Sequence, residues 1–173
     1  GSSYVPAPKA DLLTPSSALS NFIVTYNGFP PQAQVAFQAA VDIWATQVQS
    51  PVPIRVTATW EVLGANVLGS AGAVSVWRDF SGAPIAGTWY PDAVANRLHG
   101  SDLDPTQDDI EASFNSNFDW YLGTDGNAGV KYDLMSVVLH ELGHGLGFFG
   151  SMDGTGGVGS WGYGSGFPFI YDR

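Results

Sequence analysis

A strand–helix–strand pattern in the first third of the chain constrains the fold most. Residues 22–26 are β-branched and aromatic, which predicts a strand. Residues 32–49 carry apolar side chains at helical spacing, and Pro51 and Pro53 end that helix. Residues 54–61 alternate between apolar and polar side chains, which predicts a half-buried strand. Because such a unit forms a right-handed crossover, the two strands should be parallel.

The rest of the chain predicts short strands and two more helices. We expect strands at residues 73–77, 89–90 and 110–114, a short helix at 92–98, and a helix from Leu134 to about Leu146 capped by Asp133. The fold class is therefore α+β, with one mixed, twisted sheet and two principal helices.

The domain organisation follows from composition along the chain. Residues 1–20 are rich in Pro and Ser and should form an extended lead-in, followed by a single domain over residues 21–173. The opening Gly1-Ser2 is typical of a cloning remnant, and the apolar residues just before Arg173 predict that the natural chain continues.

Composition also excludes several classes of partner. Six basic residues face sixteen acidic ones, for a formal net charge of -10. Such a surface repels phosphate backbones and anionic lipids, so we expect neither nucleic acid nor a membrane as partner, and we expect a monomer. The absence of cysteine excludes disulfides and thiolate metal sites. No apolar run reaches transmembrane length, and we expect a secreted protein.

The last predicted helix carries the sequence His-Glu-Leu-Gly-His at residues 140–144. Helical positions i and i+4 lie one above the other, roughly 6 Å apart. His140 and His144 can therefore both point at one zinc ion, each at about 2.0 Å. Glu141 can take a proton from a zinc-bound water, and the resulting hydroxide can attack a peptide carbonyl. The alternative, two ordinary helical histidines, is disfavoured because the chain has only three.

Other residues of this helix suit such a site. One apolar stripe should face the core, formed by Met135, Leu139, Leu142 and Leu146. Glycine in a helix costs up to about 1 kcal/mol relative to alanine. We therefore expect Gly143, Gly145 and Gly147 to let backbone or substrate come close to the metal.

Residues 137–147 resemble the active-site helix of metzincins, especially matrixins, whose pattern is H-E-x-x-H-x-x-G-x-x-H/D. The matching residues are His140, Glu141, His144 and Gly147. The similarity extends loosely over residues 22–150. It implies a zincin-like fold with a backing helix and an active-site helix. It also implies a zinc endopeptidase whose extended substrate pairs with an edge strand, for which residues 110–114 are our candidate.

The third zinc ligand departs from this pattern. The family position falls on Gly150, which has no side chain to bind metal. The segment around Asp153 resembles aspzincins, in which an Asp in a Gly- and Thr-rich loop completes the site. That resemblance implies Asp153 as third ligand and Tyr163 as a catalytic residue that stabilises the oxyanion. Asp172, His99 or a residue beyond Arg173 are the alternatives.

Weaker signals lie in two loops. One contains Asp102, Asp104, Asp108 and Asp109, and the other contains Asp125 and Asn127. Their oxygens could bind a structural Ca2+, or they could be solvated loop and capping residues, and neither loop has the EF-hand pattern. Trp161 and Tyr163 are the aromatic residues that we expect to line a substrate pocket.

Two other functions remain open at this stage. One is a catalytically inactive, zinc-containing pseudo-peptidase that binds protein or glycan, which Gly150 favours and the intact Glu141 disfavours. The other is a zinc hydrolase acting on something other than peptides. A protein or peptide substrate is the partner that the motif favours most.

Overall fold

Within the described residues the fold is a mixed α+β arrangement with three α-helices. The computed structural model describes residues 18–154 and 157–173, so most of the predicted lead-in lies outside the described residues. The strands are β1 (Phe22–Asn27), β2 (Ile54–Glu61), β3 (Gly69–Ala73), β4 (Val76–Trp77), β5 (Tyr90–Pro91), β6 (Ile110–Asn115), β7 (Trp120–Tyr121) and β8 (Tyr132–Asp133). The helices are α1 (Pro31–Gln47), α2 (Asp92–His99) and α3 (Leu134–Gly145).

The principal sheet has four strands in the order β1-β2-β6-β3. The strands β1, β2 and β6 are parallel, and β3 runs antiparallel to β6 at one edge. The parallel β1–β2 pair joined through α1 confirms the predicted crossover unit. Two small sheets, β4–β5 and β7–β8, lie outside the principal sheet.

The predicted edge strand was wrong. Residues 110–114 form β6, which is hydrogen-bonded to β2 on one side and to β3 on the other. The edge strands are β1 and β3, of which β3 pairs with β6. The predicted strand at 73–77 is in fact the end of β3 followed by the separate strand β4. The cause is compositional, because Gly-Ser-Ala-Gly-Ala lacks the β-branched side chains by which strands are recognised in a sequence.

The core lies between one face of the principal sheet and the helices α1 and α3. Its sheet side is built from the apolar positions predicted for β2 and β6, namely Ile54, Val56, Ala58, Ile110, Ala112 and Phe114. The α1 side chains that face them include Phe37 and Val41, both buried. Thr57 and Thr59 line the opposite face of the sheet, which is open to solvent. The alternation read from the sequence is therefore confirmed.

The helix α3 packs on the sheet through a stripe that differs in part from the predicted one. Leu142 and Leu146 are buried as expected, and Leu134 and Val138 are buried as well. The predicted Met135 and Leu139 also pack against the core but are only partly buried. Gly145 makes this packing possible. A Cβ atom at Gly145 would lie 2.5 Å from Cγ2 of Ile110 on β6. Gly145 therefore allows close contact between helix and sheet. We had expected it to give access to a metal instead.

Buried carboxylates attach α2 to the sheet. Asp109 accepts hydrogen bonds from the backbone N–H of Arg55 and from the side-chain amide of Asn96, both at 2.7 Å. Asp92, at the start of α2, accepts a hydrogen bond from Nε1 of Trp77 at 2.7 Å. Burial raises the pKa of both carboxyl groups, that of Asp92 to about 6. These contacts keep α2 beside the end of β6.

In the part of the chain that the structure describes, no helix has the length and apolarity needed to cross a membrane.

Replacing Gly145 by alanine should destabilise the protein. The added methyl group would overlap Ile110, and overpacking of a core typically costs about 1–3 kcal/mol. Gly143→Ala is the matched control, because a Cβ atom there would lie 3.5 Å from Cζ2 of Trp44, an ordinary contact. The control should be neutral or stabilising by up to about 1 kcal/mol. Equilibrium denaturation measures both, and equal destabilisation would contradict this account of Gly145.

The free energy of unfolding should fall as pH rises from about 4 to about 6. The pKa of Asp92 is raised from 3.8 to about 6, chiefly by burial. The Trp77 hydrogen bond acts to lower it, and repulsion from Asp109, Asp102 and Asp104 adds to the increase. The folded state therefore binds this proton more tightly than the unfolded state, and its stabilising effect is lost as the carboxyl group ionises.

Asp92→Asn should flatten this pH dependence, because the amide still accepts the Trp77 hydrogen bond but does not titrate. Asp42→Asn, at an exposed position on α1, is the control and should leave the slope unchanged. Denaturant unfolding at several pH values measures the slope, and an unaltered slope in Asp92→Asn would contradict the assignment.

Candidate metal centre

His140 and His144 meet on the exposed side of α3. Their Nε2 atoms are 3.1 Å apart, and the two rings are nearly perpendicular. Two imidazole ligands of a tetrahedral zinc site, each about 2.0–2.1 Å from the metal, would place their nitrogens about 3.3 Å apart. The pair therefore fits a shared zinc ion in spacing and in donor type.

A backbone carbonyl orients the second imidazole. Nδ1 of His144 lies 3.0 Å from the carbonyl oxygen of Phe148. A carbonyl oxygen only accepts hydrogen bonds, so Nδ1 carries the proton and Nε2 of the neutral ring keeps its lone pair. This arrangement is common for histidines that bind metals, because it fixes both tautomer and ring orientation. It places the lone pair of His144 on the side where His140 lies.

The turn after α3 makes the Phe148 contact possible. Gly147 has φ of +105°, a left-handed conformation that side chains disfavour. A Cβ atom at this residue would also lie 2.9 Å from Cγ of Pro91. The chain therefore reverses at Gly147, and the N–H of Phe148 donates to the carbonyl of Gly143 at 3.0 Å. Glycine is needed here for the turn and for the close approach to Pro91.

A groove of about 500 Å3 lies beside the histidine pair. One wall is the first half of α3, including His140 and Glu141, and the other wall is residues 66–69, which lead into the edge strand β3. Glu141 is partly buried, so its carboxylate is available to a molecule in the groove. The groove thus brings together the two sequence-predicted residues with the exposed edge of the sheet.

A third protein ligand is not assembled around the pair. Among residues 18–154 and 157–173, no group of three His, Asp or Glu side chains is arranged to hold a metal ion. Asp153 lies on the segment after α3, where its backbone pairs with Ser160 through hydrogen bonds of 2.8 and 3.1 Å. Its role as third ligand stays a prediction. The two histidines fit zinc, and the described structure leaves the remainder of the coordination open.

Asp172 closes the segment that follows α3. Its carboxylate accepts hydrogen bonds from the N–H of Ser151 at 2.8 Å, from the Ser151 hydroxyl at 2.5 Å and from the N–H of Phe169 at 3.0 Å. Burial acts to raise the pKa of Asp172, but these hydrogen bonds outweigh it and hold the pKa below its usual range. The Ser151 hydroxyl in turn accepts a bond from the N–H of Gly162. Asp172 therefore has a structural role, which disfavours it as a zinc ligand.

Gly150 lies close to the carboxylate of Asp172. A Cβ atom at residue 150 would lie 3.2 Å from Oδ1 of Asp172. A histidine or aspartate at the family's third-ligand position would therefore crowd the carboxylate that joins Ser151 to Phe169. Glycine at position 150 thus leaves room for the Asp172 carboxylate to make its hydrogen bonds.

Tyr163 and Trp161 lie on the same segment and are exposed. Tyr163 has a left-handed backbone conformation with φ of 52°, which is uncommon for a residue with a side chain. Its ring contacts Phe169 at a centroid distance of 5.9 Å. The groove beside His140 is lined by other residues, so the expected pocket-lining role of Trp161 and Tyr163 is not seen there. The catalytic role of Tyr163 stays a prediction.

The acidic loop oxygens are engaged by protein groups. Asp104 accepts hydrogen bonds from Thr106 and Gln107, and Asp102 pairs with Arg55 at 3.2 Å. Asp108 accepts from the Thr57 hydroxyl, and Asp125 accepts from Tyr121 and Asn127. These bonds support the interpretation of the acidic residues as loop-stabilising, and a structural Ca2+ at either loop stays a prediction. His99 also has a local partner, since its Nδ1 lies 2.9 Å from the carbonyl oxygen of Ser81.

Sequence reasoning missed the groove wall at residues 66–69 and the carbonyl of Phe148. Neither carries a sequence signal, because the first depends on strand pairing and the second uses a backbone atom. The Gly147 turn was the one available indication that the chain returns towards His144.

Comparison with known proteins gives one partial match. A family model described as SPBPB7E8-like matches residues 86–155, a segment that contains α2, β6 and α3 and therefore His140, Glu141, His144 and Asp153. The match covers 70 of the 173 residues, less than half of the chain. No curated protein and no solved structure matches the chain.

Proposed function

We propose that this protein is a zinc-dependent endopeptidase with a zincin-like fold. The observation that carries the proposal is the histidine pair, with Nε2 atoms 3.1 Å apart and with Nδ1 of His144 bound by a carbonyl oxygen. Glu141, the next residue after His140, lies in the adjacent groove as a general base should. The resemblance of residues 137–147 to the metzincin active-site helix supports the same function.

His140, His144 and Asp153 are the residues that would hold zinc. A catalytic zinc site usually has three protein ligands and leaves one position open. Asp153 is the first carboxylate after the Gly147 turn, and the other downstream carboxylate, Asp172, already accepts three hydrogen bonds. When bound, zinc acts as a Lewis acid and lowers the pKa of a water ligand towards about 7.

The chain's own residues perform the proton transfers in this proposal. The Glu141 carboxylate accepts a proton from the attacking water as the water oxygen forms its bond to the peptide carbonyl carbon. Glu141 then gives the proton to the leaving nitrogen as the C–N bond breaks, so the carboxylate is regenerated. Tyr163 remains the proposed hydrogen-bond donor to the oxyanion.

Strand β3 supplies a backbone surface for substrate. It is one of the two edge strands of the principal sheet, and the segment leading into it forms one wall of the groove. An extended peptide could add to this edge by main-chain hydrogen bonds, which would bring a peptide bond past Glu141. The small side chains of Gly69, Ser70, Ala71 and Gly72 leave this edge accessible. Secretion, in which the substrate would be an extracellular protein, is part of the same proposal.

A catalytically inactive zinc-binding module is the second candidate. Two observations favour it: Gly150 occupies the family's third-ligand position, and no three-ligand group occurs among the described residues. The intact Glu141 favours the peptidase, since binding alone does not require a base.

Zinc binding should depend on the histidine pair. We expect about one zinc per chain to remain after dialysis of the wild-type protein, and much less to remain in His144→Ala, which removes one of the two imidazole ligands. His99→Ala is the control, because that histidine bonds to Ser81 instead. Metal analysis measures the content. Zinc retained equally in His144→Ala and His99→Ala would contradict the site.

Glu141→Gln should keep zinc and the fold but lose peptidase activity by about 10^2–10^4-fold, because the amide cannot accept a proton. Hydrolysis of casein or gelatin, with and without a chelator, measures the activity. Wild-type protein that binds zinc but cleaves no substrate would favour the inactive module. Cleavage by Glu141→Gln at the wild-type rate would show that Glu141 is not the base.

Asp153→Ala should weaken zinc binding by about 10-fold or more. Loss of a residue that only hydrogen-bonds to a metal ligand already costs about 10-fold in metal affinity, and loss of a direct ligand should cost at least as much. Asp172→Asn is the comparison and should weaken zinc binding less than Asp153→Ala does, because it disturbs the segment that carries Asp153 without removing the proposed ligand. Competition with a zinc-binding dye measures both affinities. The reverse result, with zinc lost only in the Asp172 variant, would move the third ligand to Asp172.

A further inference from the structure

A small, mostly apolar cavity lies beside the C-terminal end of α3. It has a volume of about 250 Å3 and lies between the end of α1, the helix α2 and the end of α3. Buried Ile54, Ala93 and Leu146 contribute apolar lining, and Phe148 is exposed along one side. The cavity shares no lining residue with the groove that contains His140 and Glu141.

A positively charged side chain lies at the rim of this cavity. Nε of Arg97 donates to the carbonyl oxygen of Gln49 at 2.6 Å, and both residues line the cavity. This bond holds the guanidinium in place and uses one of its five N–H donors. Within residues 18–154 and 157–173, no carboxylate forms an ion pair with Arg97.

The missing ion pair matters because the chain is so acidic. Sixteen carboxylates and six basic side chains give a formal net charge of -10, and Arg55, Arg78 and Lys131 each pair with an aspartate. Arg97 is therefore a fixed cation, beside an apolar cavity, with donors free for an anion. A guanidinium binds a carboxylate through two parallel hydrogen bonds, which gives this anion the best geometric match.

We propose that this cavity binds the C-terminal residue of a peptide, with the apolar side chain inside and the carboxylate on Arg97. The volume is below the range of about 300–1,000 Å3 typical of sites for drug-sized ligands, which suits a single residue. Arg97 supplies the charge complementarity and the cavity supplies the apolar contact.

This binding site does not depend on the proposed function. It needs neither zinc nor Glu141, although the carbonyl of Phe148 also contacts His144. Binding in the cavity can therefore be tested in protein that cannot hold metal, and its failure would say nothing about catalysis.

The test is calorimetric titration of the full chain with acetyl-Ala-Ala-Phe. It is carried out in the His140→Ala background, so that the peptide carboxylate cannot bind at the proposed zinc site while the contact of His144 with the cavity residue Phe148 is kept. We expect saturable binding, and at least about 10-fold weaker binding of the same peptide with an amidated C-terminus, since charge-assisted hydrogen bonds are roughly twice as strong as neutral ones. Equal binding of acid and amide, or no binding of the acid, would overturn the proposal.

Variants of the rim residue complete the test. Arg97→Gln should weaken binding of the acid by about 10-fold or more, and Arg97→Lys should retain part of it, because lysine keeps the charge but not the planar fork. Lys131→Gln makes the same charge change at an exposed site elsewhere and should have no effect. Undiminished binding in Arg97→Gln, or tighter binding of octanoate than of the peptide, would overturn the assignment to a peptide C-terminus.

Discussion

The close packing of α3 on β6 is the contact on which the candidate site depends. Gly145 allows the end of the helix to approach Ile110, and the buried stripe from Leu134 to Leu146 fixes the rotation of the helix about its axis. With that face buried, His140 and His144 lie on the outer face, and His140 lies next to the segment that leads into β3. A helix held further from the sheet could rotate about its axis, and the two imidazoles would then no longer be held in a fixed orientation beside the groove.

The parts of the structure that were predictable from sequence are those set by local periodicity. The alternation of residues 54–61 and the helical spacing of residues 32–49 gave β2 and α1 nearly to their ends, and α2 began at Asp92 as expected. The pairing of His140 with His144 was predictable for the same reason, since positions i and i+4 of a helix are neighbours in any fold. These features need no knowledge of the rest of the chain.

The parts that were missed depend on contacts between distant residues. The edge position of β3 follows from its pairing with β6 about 40 residues later, and its Gly- and Ala-rich sequence has no strand signal of its own. The strands β7 and β8 are two residues each and form only as a parallel pair. The segment after Gly147 is rich in glycine, so its local sequence permits many paths. Its observed path is set by hydrogen bonds from Ser151 and Phe169 to Asp172, which no spacing rule reveals.

The attachment of that last segment implies an order of folding. The helix α3 belongs to the main core and can form with it, whereas residues 148–154 and 157–172 are held by the Asp172 hydrogen bonds and by the pairing of Trp89 with Phe169. Closing a loop of this length has an entropic cost that is recovered only when both ends are bound. The carbonyl of Phe148 can follow α3, but Asp153 is placed only after the chain has folded back to Asp172. The histidine pair should therefore form before the proposed aspartate ligand is in place, and a newly made chain would acquire the two as separate events.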